Sequence, residues 1–404
     1  MSYNESPLKI LAERYYQSPC QKIEKIPQSG SSRLYFRMFF EHKPTIIGVY
    51  NQDIAENRAF FSFTDFFRTQ QIHVPNLLAI DETKRYYLLS DLGNETLYSF
   101  LTEHRNGEQI SPTVLEYYHK VIDQLPLIQL SGKKGIDFSV SYPRFAFDRQ
   151  SMQWDLNYFK YFFLKLSETH FDEQLLENDF NTLMDYLLEV DSDYFLFRDF
   201  QSRNIMIQEG EVYFIDYQGG RKGALQYDIA SLLYDGKADI PPVIREQLLD
   251  YYITQLEKYI PVNRQDFIRH YEGFVLIRIM QAMGTYGYRG YFERKSHFLL
   301  SIPYAVRNIK YLLERSRLPI EIPTLLDVLQ QVTESDFVKS YEQVKKSEEK
   351  GKLRVLVQSF AYKKGIQFNG EPFTGVNSVS EILPNLFLLQ SWTQLTKHLS
   401  FNYT

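Results

Sequence analysis

The stretch that decides the reading runs Phe195-Leu196-Phe197-Arg198-Asp199-Phe200-Gln201-Ser202-Arg203-Asn204-Ile205-Met206-Ile207, turns at Glu209-Gly210, and returns as Val212-Tyr213-Phe214-Ile215-Asp216. It holds one carboxylate, Asp199, and an amide, Asn204, five residues later. Two short apolar runs around a glycine-containing turn predict a β-hairpin, because glycine supplies the positive φ that a tight turn needs. The hairpin carries the chain from Asn204 back to a second carboxylate, Asp216, and so brings the two into one neighbourhood. Two hard oxygen donors held together suit Mg²⁺, which completes its shell with waters and phosphates. Asp199 is then available to orient a substrate hydroxyl or accept its proton. Those are the parts that phosphoryl transfer from ATP requires, where catalysis is mostly positioning and charge neutralisation. The competing reading is a polar hairpin with scattered acids; the order and spacing of all three groups oppose it.

Upstream of this segment, residues 20–91 read as a small mixed lobe. Pro7 to Gln17 predicts a short helix, Leu34–Met38 and Thr45–Tyr50 predict strands, and Ser29-Gly30-Ser31-Ser32 a turn. Ile54 to Gln71 has helical period, with Ala55, Ala59, Phe63 and Phe66 on one face. Leu77–Asp81 and Tyr86–Ser90 predict two more strands. After Asp91 long helical patterns dominate: Glu95–Thr102, Val114–Gln129, Trp154–Glu168 and Asp172–Val190 before the hairpin, then Tyr227–Asp235, Arg245–Tyr259, Arg264–Met283, Tyr304–Arg315 and Thr324–Val332. The expected layout is an N-terminal nucleotide lobe over 1–91, a larger helical lobe over 92–332, a charged linker over 333–352, and a short tail over 353–404.

Composition narrows the function. The chain has 404 residues and a net charge of −5, which excludes a bulk surface built for nucleic acid. A single cysteine, Cys20, excludes an internal disulfide and a multi-cysteine zinc site. No apolar run is long enough to span a bilayer and no leader is visible, so a cytoplasmic protein is expected. Aromatic residues make up 16%, which we read as cores filled with rings. No motif sets an oligomeric state.

The catalytic segment resembles the catalytic and metal loops of the aminoglycoside phosphotransferase/choline kinase family, a branch of the protein-kinase-like fold. Asp199-x4-Asn204, the hairpin, Asp216, and then Asp228 within Tyr227-Asp228-Ile229-Ala230-Ser231-Leu232-Leu233 carry the likeness. The resemblance implies an α+β bilobal fold, with a small β-rich lobe and a large mainly helical one. It implies ATP and Mg²⁺, Asp199 as catalytic carboxylate, Asn204 and Asp216 as metal ligands, and Asp228 as a structural brace of the loop. Ser31, Ser32 and Arg33 would cover phosphates, and Leu89, Ser90 and Asp91 would form the hinge beside adenine. Within the family the likeness is greatest to kinases acting on the anomeric hydroxyl of N-acetylated cell-wall sugars. It rests on Arg198–Asn204, on Trp154-Asp155-Leu156-Asn157-Tyr158-Phe159, and on Arg278-Ile279-Met280-Gln281-Ala282-Met283-Gly284-Thr285-Tyr286. Asp155 and Tyr158 share a helix face and, with Gln201 and Gln218, are the acceptor candidates; packing and solvation are their alternative roles.

Departures are informative. Phe197 stands where the family's loop usually has His, and Gln201 where protein kinases have Lys. Arg203, four residues after Asp199, is the catalytic candidate to neutralise the transferred phosphate in place of that Lys, and bracing the loop is its alternative role. The strand that ordinarily carries a phosphate-binding Lys reads Ile46-Ile47-Gly48-Val49-Tyr50. Arg33 or Arg37 could replace that Lys, and Glu56, its usual partner, is expected on solvated surface. Gly219 and Gly220 are read as a flexible turn. Near the end, Leu353 to Ile366, with Lys363 and Lys364, resembles the opening of the C-terminal domain of the RNase-adapter family. The alternatives are a choline- or aminoglycoside-type small-molecule kinase, and a silent sensor of nucleotide or sugar phosphate.

Overall fold

A computed structural model describes residues 6–27, 33–105, 107, 109–167, 169–315, 318–341, 367–368 and 371–372. The chain divides into two compact units, Met1–Ser151 with Leu187–Val275, and Met152–Tyr186 with Leu276–Thr404.

The first unit begins with α1 (Ser6–Tyr16), β1 (Cys20–Lys25), β2 (Leu34–Phe40), β3 (Lys43–Tyr50), α2 (Ile54–Thr69), β4 (Leu77–Ile80) and β5 (Tyr86–Ser90). The strands form one antiparallel sheet in the order β1-β2-β3-β5-β4. Alternation explains its faces. Phe36, Met38 and Phe40 of β2 are buried with Leu8 and Ala12 of α1, while Tyr35 and Arg37 lie on the opposite face. Gly48 permits this packing, because a Cβ there would lie 2.9 Å from the Met38 sulfur and 3.3 Å from Leu8. β1 precedes the Leu34–Met38 and Thr45–Tyr50 runs that the sequence reads as strands. Its Cys-Gln-Lys-Ile-Glu-Lys run is an edge strand with almost no buried face and so gives little apolar signal.

Helix α2 is capped by Asp53, whose carboxylate accepts the N–H groups of Ala55 and Glu56 at 3.0 and 3.1 Å. Its buried face is broader than the expected stripe. Ala59, Phe60, Phe63, Thr64 and Phe67 are enclosed, whereas Ala55 is exposed and Phe66 is only half-buried. The cause is a second packing partner, the chain around the catalytic loop. Phe60 stacks on Tyr217 at 5.1 Å, Phe63 and Phe67 meet Phe195 edge-on, and the Thr64 and Tyr217 hydroxyls bond at 2.6 Å.

Beyond β5 come α3 (Leu97–Glu103), α4 (Pro112–Leu130), α5 (Arg149–Phe162) and α6 (Glu173–Leu187). Strands β6 (Tyr194–Leu196), β7 (Ile205–Gln208), β8 (Glu211–Phe214) and β9 (Arg221–Gly223) follow, then α7 (Leu225–Leu233), α8 (Pro242–Glu257) and α9 (Arg264–Gly287). β7 and β8 form the expected hairpin, and β6 pairs with β9. The three-residue β9 is too short to leave a period in the sequence. All nine residues of α7 are buried, which places Asp228 inside the unit.

In the second unit, α6 packs near α12 (Pro323–Glu334), where Asp179 accepts the Leu325 N–H at 2.7 Å. Two further helices, α10 (Ser296–Leu299) and α11 (Ile302–Arg315), precede α12. The C-terminal part of α9 runs against α5: a Cβ on Gly287 would lie 1.8 Å from the Phe162 carbonyl oxygen, and one on Gly284 2.8 Å from the Tyr158 backbone. Over 333–341 the chain is packed, with Thr333, Val338 and Tyr341 buried and Phe337 edge-on to Phe163. The stretch Leu353–Ile366, with Lys363 and Lys364, lies outside the described residues. Among the described residues no helix is long and apolar enough to cross a membrane.

Candidate active site

β6 delivers the chain to Asp199 through a bend that Asp228 holds. The buried Asp228 carboxylate accepts the backbone N–H groups of Phe197 and Arg198 at 2.7 and 3.0 Å. Burial pushes its pKa up to about 7, against the lowering effect of those two bonds and of Gln129. Arg198 has φ +84°, a left-handed backbone that costs energy for a side-chain-bearing residue. Its guanidinium is held over the rings of Phe147 and Tyr227 and donates to the Tyr227 hydroxyl at 3.0 Å. Phe197 sits in a ring cluster with Phe200, Phe214 and Tyr217. Here apolar packing does the bracing that a His would otherwise do.

The other end of the loop is closed by Asn204. Its Nδ2 donates to the Asp199 carbonyl at 2.9 Å and to Asp216 Oδ2 at 3.3 Å. The Ile215 N–H donates to the Asn204 carbonyl at 3.0 Å, so hairpin pairing continues up to the metal-loop carboxylate. Glu209 and Gly210 both have positive φ, at +52° and +81°, as a two-residue hairpin turn requires. Asp216 is itself left-handed, φ +71°, and Gln218 Nε2 donates to its Oδ1 at 2.6 Å. Desolvation raises the Asp216 pKa, the neighbouring Asp199 charge raises it further, and Gln218 and Arg33 partly offset both. Gln218 Oε1 is enclosed and has no hydrogen-bond partner. The donor set thus fits a divalent cation: the Asp199 and Asp216 carboxylates, the Asn204 side-chain Oδ1 and the unpartnered Gln218 Oε1.

Arg33 supplies the positive charge that β3 lacks. It is 2% exposed, 3.2 Å from Glu56 Oε2 and 3.3 Å from the Tyr35 hydroxyl, with its guanidinium 5.8 Å from the Phe60 ring centre. Burial works against its charge, but Tyr87, Tyr35 and Glu56 outweigh burial and raise its pKa. Glu56 is therefore a tethered ion-pair partner and not solvated surface; Asn51 Nδ2 also donates to it at 2.6 Å. The sequence offered Arg33 as one of two replacement cations but left Glu56 on solvated surface, because their contact joins segments distant in the chain.

Arg37, the other cation considered, is committed elsewhere. It donates to both Asp91 oxygens at 2.6 and 3.0 Å, to Asn94 Oδ1 and to the Gly93 carbonyl. Asp91 also accepts from Thr45 and from the Gly93 N–H, so its carboxylate ties the sheet to the chain that follows it. The Ser90 N–H donates to the Asn76 carbonyl and its Oγ accepts the Asn76 N–H, while Leu89 lies between Ile47 and Leu77 in the sheet. Ser31 and Ser32 lie outside the described residues. Gln201 Nε2 is 3.4 Å from Asp199 Oδ1. Arg203 and the loop's 3₁₀ turn, Ser202–Asn204, are fixed from beneath by Asp235, which accepts the Ser202 N–H at 3.3 Å and its hydroxyl at 2.6 Å. The sequence reading missed that brace; its only signal is a second acid seven residues after Asp228. Gly220 serves close approach and not flexibility, since a Cβ there would lie 2.1 Å from the Phe195 ring. Asp155 and Tyr158 belong to the second unit. There Asp155 is buried, and Tyr158 packs against Phe162 and Tyr288, with desolvation pushing its pKa up to about 12.

The fold is α+β, bilobal and protein-kinase-like, and the family match and relatives make the chain a small-molecule phosphotransferase. Residues 22–261 match the phosphotransferase enzyme family, and the chain belongs to it. It is 26% identical to an N-acetylmuramate/N-acetylglucosamine kinase of Neisseria meningitidis, over 74% of this chain and 86% of that one. It is 23% identical to a Pseudomonas aeruginosa protein of the same name, over 81% and 95%. Among solved structures, a spectinomycin phosphotransferase in complex with ADP and spectinomycin superposes with a TM-score of 0.50 at 12% identity, covering 82% of this chain and 99% of that one. At that identity it speaks for the fold alone.

Proposed function

We propose that the protein transfers the γ-phosphoryl group of ATP to the anomeric hydroxyl of an N-acetylated amino sugar, in the recycling of cell-wall sugars in the cytoplasm. The observation that carries the chemistry is the locked loop: Asp199 held between the Asp228 brace and Asn204, with Asp216 alongside. The acceptor class draws its support from the two relatives, whose names specify such sugars and whose similarity runs along most of this chain.

In this reading Asp199 accepts a hydrogen bond from the acceptor hydroxyl and takes its proton as the oxygen attacks in line. Asp216, Asn204 Oδ1 and Gln218 Oε1 would hold Mg²⁺. Bound there, the ion supplies charge neutralisation for the phosphate oxygens. Arg33, oriented by Glu56, faces Asp216 electrostatically and takes the role of the small-lobe Lys. Gln201 steadies the Asp199 carboxylate.

The test is Mg²⁺-dependent ADP release from ATP with N-acetylglucosamine, N-acetylmuramate, glucose, choline and kanamycin as acceptors. Turnover confined to the N-acetyl sugars is expected. Turnover on choline or kanamycin alone would keep the chemistry and reject the acceptor. ATP binding with no turnover on any acceptor would reject the enzyme reading in favour of a sensor.

A further inference from the structure

Two cations stand beside the catalytic loop with a single carboxylate, Asp235, acting on the pair. Arg203 sits in the 3₁₀ turn that follows Asp199, and its Nε is enclosed without a hydrogen-bond partner. Lys237 lies in the short connection between α7 and α8, half-buried. That connection is fastened at both ends. Asp235 bonds the Ser202 N–H and hydroxyl, and Arg105 Nη2 donates to the carbonyls of Ala238 and Asp239 at 2.6 and 2.9 Å. The two anchors hold Lys237 next to the loop. Among the described residues neither Arg203 nor Lys237 forms an ion pair or side-chain hydrogen bond; Asp235, whose charge acts on Lys237, bonds Ser202, which leaves two cations to one carboxylate. The two charges feel each other: after burial, Arg203 is the largest influence lowering the Lys237 pKa. A fold that holds two like charges together, one with a buried unpartnered donor, is arranged for an anion between them.

We propose that Arg203 and Lys237 form an oxyanion subsite at the edge of the catalytic loop, which takes a carboxylate of the acceptor or an oxygen of the transferred phosphoryl group. The carboxylate source rests on the amino-sugar reading above; the phosphoryl source needs only the phosphotransferase. The acceptors proposed here separate the two, because N-acetylmuramate carries a lactyl carboxylate and N-acetylglucosamine is neutral. On the carboxylate source the subsite makes the enzyme favour the acidic sugar, a specificity that Asp199, Asn204 and Asp216 cannot supply.

The experiment compares the full-length protein with Lys237→Gln and Lys237→Arg, each checked for folding by circular dichroism and thermal melting. Inorganic phosphate is titrated calorimetrically, and kcat and KM are measured with both sugars. Loss of one charge-assisted contact is expected to weaken phosphate binding about tenfold in Lys237→Gln, with recovery in Lys237→Arg. If KM rises about tenfold for N-acetylmuramate while N-acetylglucosamine is unchanged, the oxyanion is the acceptor's carboxylate. If kcat falls equally for both, it is the transferred phosphoryl group. Phosphate binding and both sets of constants unchanged in a folded Lys237→Gln would overturn the subsite. If neither sugar is turned over by the wild type, the acceptor assignment fails, and the phosphate titration alone decides the subsite.

Discussion

Burial and the neighbouring Asp199 charge raise the cost of ionising Asp216, and Gln218 and Arg33 partly offset it. Asp199→Asn removes the proton acceptor while leaving Asn204 bonded to the residue-199 carbonyl. It should lower kcat by about 10²–10⁴-fold with the thermal midpoint unchanged. Arg33→Met leaves Glu56 and Asp216 facing each other without their buried cation. It should lower kcat/KM for ATP by about 10²-fold or more, measured under subsaturating ATP. Asp228 carries the pH signature. Its folded pKa of about 7 lies above the ordinary aspartate value of 3.8, so the folded chain binds this proton more tightly than the unfolded one. Its contribution to stability is therefore largest below the lower value and declines as pH rises towards the upper one. Urea midpoints of the wild type should fall between about pH 5 and pH 7.5 more steeply than those of Asp228→Asn, and parallel slopes would contradict this assignment.

Elements meet where side chains are missing or paired. Gly287→Ala would drive a methyl into the Phe162 carbonyl and force α9 away from α5. Overpacking of this kind costs about 1–3 kcal/mol, and because the obstacle is backbone we place the variant at the upper end, read as a lowered urea midpoint. Arg37→Met would strand the enclosed Asp91 carboxylate between β5 and the chain that follows. Burial raises the Asp91 pKa, but its bonds from Arg37, Thr45 and Gly93 bring it below the ordinary value. The stability this pair provides is present above the unfolded pKa and lost as pH falls through the folded one. The variant should lose about 3 kcal/mol near neutral pH, and the deficit should shrink in acid. The helices were legible because their apolar period survives over several turns. β1 and β9 were not: one is a polar edge, the other only three residues long. Around the loop, Asp199, Asn204 and Asp216 could be read from spacing, since a hairpin fixes their relations, and Asp228 from the family resemblance. The Arg33–Glu56 pair and the Asp235 brace could not, because each depends on contacts between elements distant in the chain. The composite face of α2 escaped the period for the same reason: it packs on the sheet and on the loop region together.

At the scale of the whole molecule, the family assignment makes the chain a phosphotransferase, and the proposed acceptor sets which product it forms. The direct measurement is the structure of the product. The protein is incubated with ATP, Mg²⁺ and N-acetylglucosamine or N-acetylmuramate, with Asp199→Asn as control, and the phosphosugar is examined by phosphorus NMR. The account predicts a phosphate coupled to the anomeric proton and released by mild acid, formed by the wild type and absent with Asp199→Asn. A phosphate on any other hydroxyl, or equal product from the variant, would contradict it.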